Sequence, residues 1–305
     1  MTGGLSWNIV TDFREIWQYA FMRQAYEAGT IVAVLAGIIG YFVVLRRTAF
    51  AAHALGHVGF SGAAAAVVFS VNPVYGLLVF TMAGGGGMAL LGRKAATRDI
   101  EIGTVLAFMM GLGLIFLSLY KGYATQAYSI LFGDIEGVTV SGVYLTLEGA
   151  IVVLVVLAMI YRPLLFSSLD EDVAEAKGLP LLALNVVFML LLAVAISFAV
   201  QVVGVLLVFA LTVTPAATAV RITKRPLYAI PASVAIALVA IWAGLFIAWW
   251  PPYSQYPPSF FIVTISFGAY MLVRVGSSLA DRFGHRAAPS VDANPGPMSV
   301  PKSSP

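Results

Sequence analysis

Two histidines four residues apart, His53 and His57, stand in the stretch AFAAHALGHVGFSG. On a helix, a spacing of four puts both imidazoles on one face, about 6 Å apart along the axis. Two neutral imidazoles so placed can grip one divalent cation, as histidine pairs on helices do in metal sites. Their neighbours Ala51, Ala52, Ala54, Gly56, Gly59, Ser61 and Gly62 are small, which lets adjacent helices come close. The competing role for each ring is plain donation to a carbonyl on the next helix. Two ligands do not complete a zinc site, so further ligands must come from another span, from backbone oxygen or from water. An intramembrane His-dependent hydrolase is the least favoured class: no glutamate intervenes between the histidines to act as a base, and no nucleophile motif accompanies them.

The composition says what surrounds that pair. The chain has 305 residues, 60% of them hydrophobic and 10% charged, with mean hydropathy +0.94. Soluble domains carry about 25% charged residues, so lipid is the solvent for most of this chain. With no cysteine, disulfide scaffolds and iron–sulfur or thiolate metal sites are excluded. The seventeen Lys and Arg form no basic face, which argues against a nucleic-acid partner. A bilayer core needs about 20 apolar residues per helix. Nine stretches meet this: 28–45, 50–71, 73–92, 102–120, 142–160, 181–200, 202–220, 227–250 and 258–275. The fold class is all-α, a polytopic membrane protein of eight or nine transmembrane helices. Eight would apply if the tight 200–202 junction or the interruption at Pro215 marks a re-entrant segment.

Alternating nine spans from an outside N-terminus places fourteen of the seventeen basic residues inside, leaving Arg14, Arg23 and Lys121 outside. That asymmetry predicts N-out, C-in. Trp249 and Trp250 then fall at an outer interface. Residues 1–27 space Trp7, Val10, Phe13, Ile16, Trp17, Ala20 and Phe21 as an amphipathic helix on the outer surface. Residues 28–276 form the transmembrane domain, and 277–305, Pro- and Ser-rich towards the end, are expected to be a disordered cytoplasmic tail.

Other polar or glycine-rich features divide into packing and surface. Gly84 to Gly87 lacks the lysine and hydroxyl of a phosphate loop and reads as a smooth surface for helix packing. In FGDIEG, Asp134 and Glu136 are expected to be exposed carboxylates outside, and Glu148 lies within span five. Inside, SSLDEDVAEAKGLP predicts a short helix over 168–178. Ser168 serves as its cap, Asp170, Glu171 and Asp172 fill the first turn, and Gly178 and Pro180 close it. A helix so well specified outside the membrane suggests a docking surface.

Four features in this order resemble the membrane permeases of metal-uptake ABC transporters of the zinc/manganese/iron class. They are the histidine-bearing second span, FGDI, the loop DEDVAEAKG and VVGVLLVFALTVTPAATA. The resemblance runs from about residue 20 to 275. It implies a permease, paired with a second copy as homodimer or heterodimer, in the cell membrane. A separate cytoplasmic ATPase would dock through 168–178, at Asp170, Glu171, Asp172, Ala174 and Gly178. An extracytoplasmic metal-binding receptor would deliver the ion. No permanently bound cofactor is implied; the divalent metal passes through as substrate. Where the family has Asp-x-x-x-His, with both residues implied to contact the metal, this chain has His53 and His57. Imidazole in place of carboxylate shifts the expected preference from manganese towards zinc, with manganese and iron as the alternatives. The rival class is a gradient-driven secondary transporter or channel, which needs embedded carboxylates and inverted repeats.

Overall fold

A computed structural model describes residues 14–91, 98–119, 133, 135–250, 253 and 256–286. They are helical almost throughout: α1 Ala20–Leu45, α2 Ala49–Val68, α3 Pro73–Leu91, α4 Arg98–Leu119, α5 Val140–Leu169, α6 Glu171–Ala176, α7 Leu181–Val203, α8 Val205–Ile222, α9 Pro226–Trp249 and α10 Pro258–Arg286, with a 3₁₀ turn at Ile135–Gly137. Among the described residues nine helices, all but α6, are long and apolar enough to span a bilayer. This favours nine spans over eight. The tight junction near 200–202 is solved at Gly204, whose φ of 80° and ψ of 164° stop α7 and start α8 in one residue. A side chain would strain that backbone.

α1, α2 and α7 form the centre. Of the most apolar stretch of α2, 78% is buried, against 11% for α4 and for α10. α2 packs on α3, α4, α7 and α8, while α1 packs on α5, α7, α8 and α9. With no hydrophobic force to drive apolar helices together in lipid, close van der Waals approach does the work, and missing side chains permit it. Gly62 of α2 and Gly76 of α3 face each other, each with its Cα against the other's carbonyl. Gly40 of α1 lies on the carbonyl of Thr212 in α8, and Gly149 of α5 takes the ring of Phe198. The glycine run divides: Gly84 and Gly85 pack on Val58 and on Met189 and Ala193, whereas Gly87 has open space beside it.

Several boundaries move, for local reasons. α1 begins at Ala20, eight residues before the expected span, because no breaker intervenes and Met22, Ala25 and Tyr26 are buried. The amphipathic segment expected over 1–27 thus ends inside α1, and its first thirteen residues lie outside the described part. At 30 residues, α5 is about 45 Å long and overruns a bilayer core of about 30 Å. Ser168 therefore sits in the last turn of α5 and does not cap the short helix. Asp170 does, its carboxylate accepting from Val173 N at 3.0 Å. The short helix is accordingly Glu171–Ala176, not 168–178. α10 continues to Arg286, so the first ten residues of the expected tail are helical, and the first proline after Pro258 is Pro289. Residues 287–305, and Asp134, lie outside the described residues.

Glycine contact predicts a split in stability. Gly62→Ala should cost about 1–3 kcal/mol through overpacking, while Gly87→Ala should be neutral or stabilise by up to about 1 kcal/mol through helix propensity. Thermal unfolding in detergent checks the pair: the first substitution lowers Tm and the second does not.

Candidate metal path

α2 starts from a tight turn. The last residue of α1, Leu45, is followed by Arg46, then Arg47 at φ 55°, then Thr48. Arg47 N donates to Val44 O at 3.2 Å and Thr48 N to Val43 O at 2.9 Å. This pair of bonds closes a helix around one left-handed residue. α2 then begins at Ala49, which puts His53 in its second turn and His57 in its third.

The two imidazoles do share a face. Their ring centroids are 4.7 Å apart at an interplanar angle of 84°, and His53 meets the ring of Phe209 on α8 at 5.0 Å. Both are half-buried, on a helix whose other residues from Ala51 to Ala66 are all buried. Gly56, between them in sequence, rests against Val205 and Val208 of α8. Ser61, one turn beyond His57, points its hydroxyl at Met109 O of α4, 2.5 Å away, with His57 O at 3.3 Å. Ser61 thus anchors the α2–α4 seam and leaves the imidazole nitrogens alone. Among the described residues neither ring has a hydrogen-bond partner. The role of mere donors to a neighbouring carbonyl is therefore not what the structure shows. No third His, Cys, Asp or Glu joins them among the described residues.

The carboxylates singled out in the sequence lie elsewhere. Glu148 is exposed on α5, a helix that packs on α1 and α7 and not on α2. Glu136 lies in the 3₁₀ turn, half-buried near Gly133, Val203 and Pro257. The Asp170, Glu171 and Asp172 side chains are exposed on and beside α6, with Val173 and Glu175. Ala174 is fully buried and faces the bundle, so it seats α6 and is not part of the outward surface. Gly178, at φ 77°, closes α6 with the same two-bond stop as α1, through Gly178 N to Glu175 O at 2.8 Å and Leu179 N to Ala174 O at 3.2 Å.

Two participants escaped the sequence reading. Phe209 packs on His53 from a helix more than 150 residues away in the chain, and nothing local signals that pairing. Arg46 reads in sequence as an orientation charge. In the structure its guanidinium reaches Ser167, Ser168 and Asn185.

Comparison with known proteins agrees with this architecture. The model of the ABC 3 transport family matches residues 18–291. The manganese transport system membrane protein MntC of Listeria monocytogenes is 34% identical over 211 residues, covering 69% of this chain and 75% of that protein. The manganese import system permease protein ScaB of Streptococcus parasanguinis is 27% identical over 243 residues, covering 79% and 86%. Among solved structures, PsaBC from Streptococcus pneumoniae in complex with Fab superposes with a TM-score of 0.77 at 25% identity, over 87% of this chain and 95% of that one. With nine helices able to cross a bilayer and a family match over most of its length, the chain is a multi-pass membrane protein of the cell membrane and belongs to the ABC 3 transport family, whose work is transport and not catalysis.

Proposed function

We propose that this chain is the permease subunit of an ATP-driven importer of a divalent transition metal. The observation that carries the proposal is the pair His53 and His57, 4.7 Å apart, half-buried in the most enclosed helix and without hydrogen-bond partners among the described residues. A second permease copy would close the path, a separate cytoplasmic ATPase would dock on α6, and an extracytoplasmic metal-binding receptor would load it. The orientation is N-terminus outside. Supporting this, Arg46, Arg47, Lys177, Arg221, Lys224 and Arg225 lie at or beyond the helix ends on the α6 side. At the opposite end Trp249 meets Tyr19 and Phe21 at 5.0 and 6.1 Å, an aromatic girdle suited to an interface.

The metal we favour is zinc. Imidazole suits zinc, whereas manganese prefers carboxylate and carbonyl oxygen, and zinc stands above manganese in intrinsic affinity for such sites. Manganese is the second reading, and the names of the relatives support it. A gradient-driven mechanism fits less well. Of the carboxylates within described spans, Glu148 on α5 and Glu27 on α1 are exposed, and Glu101 stands in the first turn of α4.

Three outcomes are expected. In cells lacking the native gene, His57→Ala fails to restore zinc accumulation at limiting metal although the protein reaches the membrane at normal level; full restoration rejects the role. His53→Asp, which supplies a hard oxygen, raises the ratio of manganese to zinc taken up, and an unchanged ratio shows that position 53 does not select the ion. For docking, Glu171→Lys with Asp172→Lys reverses the charge of α6 while leaving the Asp170 cap in place. That variant should bring down less ATPase at physiological salt than the unaltered chain, and equal recovery removes α6 as the docking element.

A further inference from the structure

The guanidinium of Arg46, just past the end of α1, occupies a junction that the charge-sorting argument does not explain. Its Nη1 donates to Ser167 Oγ at 3.4 Å and Ser168 Oγ at 3.2 Å, and its Nη2 donates to Asn185 Oδ1 at 3.3 Å. Its Cζ lies 5.3 Å above the ring of Phe188. The serine hydroxyl protons are already committed to Leu164 O, so their lone pairs are what face the cation. Asn185 is oriented in turn by Nδ2 donation to Ala89 O at the end of α3, 3.4 Å away. One fork of donors therefore holds the last turn of α5 and the first turns of α7. Those are the two legs between which α6 hangs.

On its other side Arg46 continues directly into α2. Arg47 is held at φ 55° by the two backbone bonds that close α1. Thr48 is buried, its hydroxyl donating to Val43 O at 3.3 Å. The turn has little freedom, and His53 stands seven positions after Arg46. A shift in the legs of α6 is thereby passed to the helix that carries both imidazoles. These three acceptors are neutral and the bonds to them long, at or just beyond the usual N–H···O range of about 2.7–3.2 Å. A five-donor fork can exchange such acceptors as the legs move.

We infer that Arg46 is a positioning residue of the transport cycle: it ties both legs of the ATPase-docking helix to the start of the helix bearing His53 and His57, and so couples ATP turnover to metal movement. The inference rests on the docking role given to α6 above. Purified permease–ATPase complex in proteoliposomes, supplied with zinc and ATP, gives hydrolysis and zinc uptake from one preparation. In Arg46→Gln the ATPase co-purifies and hydrolyses ATP, but zinc moved per ATP falls about 2- to 30-fold, the range by which residues along a coupling route change it. Arg46→Lys, which keeps the charge and loses the fork, lies between. An unchanged ratio in Arg46→Gln, including a parallel fall in uptake and hydrolysis, overturns the inference. Should Arg46→Gln not assemble, the Ser167→Ala, Ser168→Ala double variant removes two acceptors with Arg46 intact. A fall in its ratio supports the coupling, and no fall overturns it. If the unaltered chain recovers no ATPase, the docking role itself fails and takes the coupling with it, a result distinct from any produced by the variants.

Discussion

Inside a bilayer no water is available to a bare amide, so each span must close its own backbone hydrogen bonds, and helices are held together chiefly by how near they come, with hydrogen bonds such as Ser61 to Met109 O across the seams. The chain meets that constraint by omitting side chains at the seams. Gly62 against Gly76 and Gly40 against the Thr212 carbonyl bring two helix pairs to backbone contact, and Gly149 makes room for the Phe198 ring in a third. α2 benefits most: gripped by four neighbours, it is the most enclosed span. It is also the span that carries the two imidazoles. Their shared face depends on α2 being a straight, immobilised helix at their depth, and its small residues supply that rigidity where larger ones would push α3, α4 and α8 away.

Much of this was legible in the sequence. Hydropathy narrowed the count to eight or nine spans, because lipid leaves few alternatives to an apolar helix of about 20 residues, and the choice of nine rests on Gly204 separating α7 from α8. The facing of His53 and His57 followed from the period of the helix alone. Local chemistry also located α6, yet it misplaced the cap. Ser168 and Asp170 are both capping residues by type, and what separates them is tertiary. Ser168 is held in the last turn of α5 by Leu164 and Arg46, which leaves Asp170 to begin α6. α1 and α10 ran longer than hydropathy suggested for a related reason: hydropathy reports where lipid is, whereas a helix ends only where a breaker or cap stops it. The Phe209 contact and the partners of Arg46 were invisible, since each joins segments more than a hundred residues apart.

The metal question turns on the same distinction between local and distant information. Position 53 is readable in the sequence, and its imidazole argues for zinc. The donors that complete a coordination sphere are not readable locally, and among the described residues no third His, Cys, Asp or Glu stands with the pair. Two imidazoles without a third such residue among those described would suit a transit point better than a storage site. A cation held by four protein ligands would leave slowly, whereas one held by two, with backbone oxygen or water beside them, exchanges ligands as it moves.

The half-burial of the pair adds a further step. His53 and His57 are the partly open residues on an otherwise closed stretch of α2, and Phe209 borders His53. An imidazole left open to hydrocarbon, without a hydrogen-bond partner, is costly in a bilayer. The open side must therefore meet water or another polar surface in the working assembly. A second permease copy opposed across that face would enclose an aqueous passage and present its own imidazoles from the other side. Four nitrogens would then be available where one chain provides two. On the proposed function, a second copy across that face would supply the wall that the described residues of one chain leave open beside the two imidazoles.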